Sequence, residues 1–114
     1  MSISWGRSER IKFTFGGQLS NWVGPMTAAV YSITYKRDPQ NKPKSHSVLY
    51  FGETADLSQE APSIKQVITD VASVDIDPRD LFVFFHPMNG STKQERSKIK
   101  HQLANDYRPR GNGF

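Results

Sequence analysis

The sequence predicts an α/β (α+β) domain in which a small three- to four-stranded mixed or antiparallel sheet is flanked by helices. Short runs of aromatic and β-branched residues, bounded by Gly, Pro or polar residues, are typical of strands. Two later segments instead space their apolar residues as an amphipathic helix does. The elements follow one another in the order β-β-β-α-β-α, which favours a layer of helices on one sheet. The length of 114 residues fits one such domain.

Four segments are predicted strands: 11–15, 28–35, 47–51 and 81–85. The first alternates in polarity and is expected to be a short edge strand ended by Gly16-Gly17. The second places Tyr31, Ile33 and Tyr35 on one face, as the period of two in a strand requires. The third is expected to be its hairpin partner, reached through a polar loop and closed by Gly52. Pro87 is expected to stop the fourth.

Two segments are predicted helices. The first carries apolar residues at i, i+3, i+4 and i+7, namely Ile64, Val67, Ile68 and Val71. The second begins with the pattern of a capping box, with Thr92 as N-cap and Glu95 three residues later. It is expected to end at Tyr107, because the residue before a proline disfavours helix and Pro109 follows closely.

The chain is predicted to form a single domain over residues 1–114. Residues 1–27 would be an N-terminal extension with a short strand, 28–112 the core, and 113–114 a loose tail. The chain contains no cysteine, which excludes disulfides and thiolate metal ligands. No apolar run approaches the roughly 20 residues of a membrane span, and the N-terminus lacks an apolar signal core. We therefore expect a cytoplasmic protein with no membrane partner.

Charge is unevenly distributed along the chain, although the net charge is only +4. Region 53–80 is mainly acidic, whereas region 93–110 holds six basic residues against Glu95 and Asp106. The six are Lys93, Arg96, Lys98, Lys100, Arg108 and Arg110. Such segregation indicates either a side that faces a polyanion or simply solvated charged faces.

Four short motifs occur in a suggestive order. The strand that begins near residue 28 contains Ala29-Val30-Tyr31, and its predicted partner contains Tyr50-Phe51-Gly52. Thr54-Ala55-Asp56-Leu57 follows directly, and Pro109-Arg110-Gly111-Asn112 stands near the end. In this order the motifs resemble the signature of the GIY-YIG nucleases over most of residues 28–112.

The resemblance implies a site in which two tyrosines, an arginine and a glutamate surround a divalent metal. Tyr31 and Tyr50 match the tyrosines, but Glu60 stands where the family has its arginine and Lys100 where it has its metal-binding glutamate. The site is therefore expected to be degenerate, with no intact catalytic residue and no metal ligand. Its members are Tyr31, Tyr50, Gly52, Glu60, Lys100 and Asn112. No cofactor is expected, and Mg²⁺ or Mn²⁺ would be needed only by an active enzyme.

The catalytic pair has two candidate replacements, Glu95 and Lys65, each five residues away from the matching position. Five residues rotate a side chain by about 140° around a helix, so neither would point the same way. Lys100 lies at the edge of the buried stripe of the last helix and is expected to face the site. The resembling nucleases would have an arginine near a glutamate here, whereas this chain would have Glu60 near Lys100, with both charges reversed. Alternatively, the two differences from the family are unrelated.

Three functions follow from these patterns. The first is a catalytically inactive GIY-YIG-like domain that binds nucleic acid through a basic surface made of Lys93, Arg96, Lys100, Arg108 and Arg110. The second is an active, metal-dependent and structure-specific DNA endonuclease with relocated catalytic residues. The third is a protein-binding module of an immunity or inhibitor type, which would use the acidic region 53–80.

Overall fold

The structure is a computed structural model that describes residues 2–36, 47–60, 64, 66 and 80–112. Its strands are β1 (Ser2–Trp5), β2 (Ile11–Gln18), β3 (Ala29–Tyr35), β4 (Ser47–Thr54) and β5 (Leu81–Pro87). The helix α1 covers Lys93–Tyr107, and short 3₁₀ turns cover Leu19–Asn21, Leu57–Gln59 and Arg110–Asn112.

The five strands form one sheet in the order β1-β2-β5-β3-β4, and every neighbouring pair is antiparallel. The predicted α+β class is confirmed. The predicted strand number of three to four is wrong, because Ser2–Trp5 adds a fifth strand. This segment pairs with β2 and buries Trp5. Its strand conformation therefore depends on contacts with other elements, which a pattern in four residues does not show.

Two strands continue through glycines that were expected to end them. β2 passes Gly16 and Gly17 by a change of register between Phe15 and Gly17, which is a bulge in its pairing with β5. Gly17 has φ +126°, a conformation that favours glycine. β4 passes Gly52 and pairs with β3 as far as Thr54. Glycine in the interior of a strand often marks a bulge or a close approach of another group.

The sheet curls around a core that α1 covers. The Trp5 ring of β1 lies 5.9 Å from the Phe51 ring of β4, between centroids, although these strands are the two edges of the sheet. Leu103 of α1 is fully buried in the same cluster. The loop after β1 is tied to the helix, because the Gly6 N–H donates to the Tyr107 hydroxyl at 2.8 Å. The face of the sheet that lines this core is called the helix face below.

The opposite face of the sheet carries a second apolar core. Tyr31 and Ile33 of β3 point into it, together with Trp22, Leu57 and Ile64. Ile64 is fully buried there. Ile64 and Gln66 both have helical conformation. The other members of the predicted first helical stripe lie outside the described residues, as does most of the hairpin loop 36–46. This second face is called the tyrosine face.

Helix α1 begins and ends as predicted. The Glu95 N–H donates to Thr92 Oγ1 at 3.2 Å, and the Thr92 N–H donates to Glu95 Oε1 at 2.8 Å, which completes the capping box. After Tyr107, Arg108 adopts a left-handed conformation with φ 47° and its N–H donates to the Ala104 carbonyl. In the part of the chain that the structure describes, no helix is long and apolar enough to cross a membrane.

Candidate functional site

The two motif tyrosines lie side by side on neighbouring strands. Tyr31 of β3 is opposite Gly52 of β4, and Ile33 is opposite Tyr50. Paired residues of an antiparallel ladder point to the same side, so both tyrosine rings lie on the tyrosine face. Their centroids are 5.9 Å apart and their planes are inclined by 46°. The prediction that Tyr31 and Tyr50 occupy adjacent antiparallel strands is therefore confirmed.

Gly52 provides the space in which these rings meet. A Cβ at this position would lie 2.4 Å from the Tyr31 hydroxyl oxygen and 2.7 Å from Cε1 of Tyr50. Both distances are far shorter than a van der Waals contact. The motif position thus requires glycine, because both aromatic rings pack over its backbone. A larger residue would force the two tyrosine rings to move.

Glu60 joins the tyrosine pair from the segment after β4. Asp56 caps the 3₁₀ turn by accepting from the Ser58 N–H at 3.0 Å, and the Glu60 carbonyl accepts from the Ile64 N–H at 2.9 Å. This backbone path directs the Glu60 side chain toward β3. The Tyr31 hydroxyl donates to Glu60 Oε2 at 3.3 Å. The position at which the resemblance expects a cation therefore holds a carboxylate next to a phenol.

The tyrosine hydroxyls in this cluster are held in the neutral form. Burial raises the pKa of Tyr31 well above its ordinary range, and the neighbouring Tyr50 and Glu60 raise it further. Burial also raises the pKa of Tyr50, and the charges of Glu60 and Glu53 add to the effect. Both groups therefore act as hydrogen-bond donors near neutral pH, and neither provides a phenolate to activate water.

Asn112, the last residue of the motif series, binds the backbone of β4. Its side-chain oxygen accepts from the Phe51 N–H at 2.8 Å, and its side-chain nitrogen donates to the Phe51 carbonyl at 2.9 Å. The amide therefore pairs with the outer edge of β4 as a neighbouring strand would. Gly111 lies against the same strand, where a Cβ would be 2.6 Å from the Leu49 carbonyl oxygen. This motif residue closes a sheet edge.

Lys100 belongs to a helix on the other side of the sheet. The buried Leu103 and partly buried Ile99 and Tyr107 of α1 pack on the helix face, whereas Glu60, Tyr31 and Tyr50 lie on the tyrosine face. Lys100 itself is half-buried at the border of this stripe. The structure thus brings Glu60 to the tyrosines and places the helix that carries Lys100 across the sheet from them. A shared pocket of Glu60 and Lys100 stays a prediction.

Arg96, which the sequence placed on the basic surface, is turned into the protein. Its side chain is only 6% exposed, and its Nε donates to Glu53 Oε2 at 3.0 Å. Its Nη1 also donates to the Ser91 carbonyl and hydroxyl oxygens, at 2.8 and 2.9 Å. In this arrangement Arg96 is a buried link between α1 and β4. A sequence signal for it exists, because Arg96 falls on the helical stripe of Ile99, Leu103 and Tyr107.

The other basic candidates have different placements. Lys93 and Arg108 are exposed at the two ends of α1, Lys98 is exposed between them, and Lys100 is half-buried. Arg110 is part of the last 3₁₀ turn. Sequence reasoning missed Arg7, whose N–H and Nε donate to Asp106 and whose guanidinium lies 5.7 Å from the Tyr107 ring centroid. It brings a further exposed cation beside the helix.

The described residues form an α+β fold in which a buried Tyr31 and a partly exposed Tyr50 lie beside the Glu60 carboxylate. No protein-family model, no curated protein and no solved structure matches the chain. Among the described residues, no group of three or more His, Cys, Asp or Glu side chains is arranged to hold a metal ion.

Proposed function

We propose that this protein is a catalytically inactive GIY-YIG-like domain that binds nucleic acid through the exposed surface of α1. The observation that carries the proposal is the set of cations on that helix. Lys93, Lys98 and Arg108 are exposed and Lys100 is half-exposed, whereas the Asp106 carboxylate of the same helix accepts from the Arg7 backbone N–H. Cations that project from one element, with nearby acids occupied, favour contact with phosphates.

The spacing of these cations suits a polyanion. Lys93 and Lys100 are seven residues apart, which is about two helical turns or roughly 10 Å along the axis. They lie three residues before and four residues after Arg96, so they share its side of α1, and Arg108 follows at the end of the helix. Separate phosphates of one strand would thus be contacted by separate side chains. Such contacts carry no base readout, so we expect binding that does not depend on sequence.

The proposed lack of catalysis depends on the tyrosine cluster. Cleavage of a phosphodiester requires positive charge close to the reacting phosphate. Here the group that adjoins Tyr31 is the Glu60 carboxylate, which repels a phosphate. The raised pKa of Tyr31 also leaves its hydroxyl protonated at neutral pH. The cluster thus opposes the chemistry that the resembling nucleases perform.

The test is a titration of labelled duplex and single-stranded DNA, followed by fluorescence anisotropy at several salt concentrations. We expect weak binding that falls steeply with salt, because the release of counterions supplies most of the affinity. Lys93→Gln and Lys100→Gln should each reduce the slope of log K against log salt by roughly one.

Lys12→Gln is the matched control. Lys12 is exposed on β2 and alternates with Ile11 and Phe13, which point into the core beneath α1, so its side chain points away from the helix. This variant removes the same charge and should leave the slope unchanged. Equal effects of all three substitutions would show attraction by net charge alone. No binding at tens of micromolar protein in low salt would refute the proposal.

A further inference from the structure

The tyrosine cluster has the chemistry of a site for an organic cation. Tyr50 and Glu60 are partly exposed, and Tyr31 beneath them is only 3% exposed. Within the described residues, the Glu60 carboxylate accepts from the Tyr31 hydroxyl and is paired with no lysine or arginine. A partly exposed carboxylate and an aromatic ring therefore lie together, and no cation among the described residues pairs with the carboxylate.

The neighbouring carboxylates of the acidic region are already occupied. Glu53 is paired with Arg96 on the helix face, and Asp56 accepts from the Ser58 N–H and hydroxyl. Their contacts are internal and serve the fold. Glu60 differs from Glu53, because within the described residues it contacts no lysine or arginine and accepts from a neutral phenol. It differs from Asp56, because its donor is the hydroxyl of Tyr31 on a neighbouring strand and not a group of its own turn.

The cluster is also held in a fixed arrangement. Gly52 lies directly under both rings, and a Cβ on Gly111 would be 3.0 Å from Cβ of Tyr50. Asn112 fixes the segment that carries Gly111 by two hydrogen bonds to Phe51. Glycine backbone therefore packs against the Tyr50 side chain at two points, near Cβ and near Cε1. A rigid aromatic surface binds a cation with little loss of conformational entropy.

We propose that the cluster of Tyr31, Tyr50 and Glu60 binds an arginine side chain of a protein partner. A guanidinium can stack on the Tyr50 ring while it donates hydrogen bonds to the Glu60 carboxylate. Arginine is favoured over lysine because its planar group is weakly hydrated and stacks on aromatic faces. This site is distinct from the proposed nucleic-acid surface, because α1 packs on the other face of the sheet.

The test uses methylguanidinium chloride as the probe, with the full chain, in ¹H–¹⁵N NMR titrations at constant ionic strength. We expect saturable shifts of the amide signals of Tyr50, Gly52 and Glu60, with a dissociation constant in the millimolar range. Glu60→Gln keeps the shape of the side chain and should weaken binding at least tenfold. Tyr50→Leu removes the ring and should also weaken it, whereas Tyr50→Phe keeps the ring face and should bind nearly as well.

Glu95→Gln is the matched control, because Glu95 is exposed on α1 and a glutamine preserves its capping box. This variant should bind methylguanidinium as the unmodified protein does. The spectrum of each variant before titration shows whether it is folded. Shifts that grow linearly without saturation, or equal binding by Glu60→Gln, would overturn the proposal. Equal affinity for methylammonium would overturn the assignment to arginine. Because the readout uses no nucleic acid, its outcome is independent of the DNA titration.

Discussion

Individual motif residues have clear structural roles in this fold. Gly52 is required because the rings of Tyr31 and Tyr50 fill the space that a side chain would occupy. Asn112 closes the edge of β4 with its side-chain amide. Neither role involves catalysis. The motif residues that define the resemblance are therefore also the residues that shape this part of the sheet.

Glu60 is the residue at which the chemistry differs most from the expectation that the resemblance sets. Its carboxylate accepts from Tyr31 at the position where the resembling nucleases have an arginine. The sequence was sufficient to predict that the tyrosines lie on neighbouring strands, because strand pairing follows from alternating patterns. It was not sufficient for the contact itself, which depends on the path of the 3₁₀ turn after β4.

The pH dependence of stability provides a test at the scale of one residue. The pKa of Tyr31 is raised in the folded protein, so the unfolded chain loses this proton first as pH rises above about 10. The free energy of unfolding should therefore be unaffected by Tyr31 below pH 10 and should fall above it. Compared with Tyr31→Phe, the unmodified protein should lose about 1 kcal/mol more between pH 10 and 11. Urea unfolding at each pH measures the difference, and parallel curves would contradict the assignment.

At the scale of elements, α1 is fixed to the sheet by one buried ion pair as well as by apolar contacts. Arg96 reaches Glu53 of β4 and also two oxygens of Ser91, which precedes the helix. A basic residue on an apolar stripe predicts such an inward turn only if an acid is known to lie opposite it. Arg96 and Glu53 are far apart in sequence, so helical periodicity does not reveal that they pair. Arg96 was therefore predicted to lie on the basic surface.

The ion pair predicts a characteristic pattern of stability. Arg96→Met should lower the free energy of unfolding by about 3 kcal/mol, because it leaves the Glu53 carboxylate buried without a partner. The double variant Arg96→Met with Glu53→Met should recover much of this loss, although the oxygens of Ser91 still lose their donor. Urea denaturation of the two single variants and the double variant gives the coupling. Additive losses would show that the pair contributes no more than two independent side chains.

The elements themselves were predictable to different degrees. β3, β5 and α1 have strong local patterns, and the sequence predicted them to within two residues at each end. β1 was missed because its four residues become a strand by pairing with β2 and by packing Trp5 on Phe13 and Phe84. β2 and β4 were shortened because glycine was taken as an end. Local patterns do not distinguish a glycine that stops a strand from one that admits a bulge or a ring.

At the scale of the whole molecule, the curl of the sheet separates two surfaces. The helix face is covered by α1, whose Lys93 and Lys98 are exposed, and the tyrosine face carries Glu60, which contacts no lysine or arginine among the described residues. An amphipathic helix shows which of its sides is buried, but it does not show which face of a sheet it covers. The expectation that Lys100 faces the tyrosines depended on that choice. Our two proposals accordingly assign one site to each face of the sheet.

The central proposal is that the domain binds nucleic acid without cutting it, and one experiment tests both parts together. The full chain is incubated with supercoiled plasmid and with a branched DNA in Mg²⁺ or Mn²⁺, and retention on the DNA and strand cleavage are measured in the same samples. We expect a salt-sensitive mobility shift that weakens in Lys93→Gln with Lys100→Gln, and no nicking above background. Metal-dependent nicking that disappears in Tyr31→Phe would contradict the account and would support a nuclease with relocated catalytic residues.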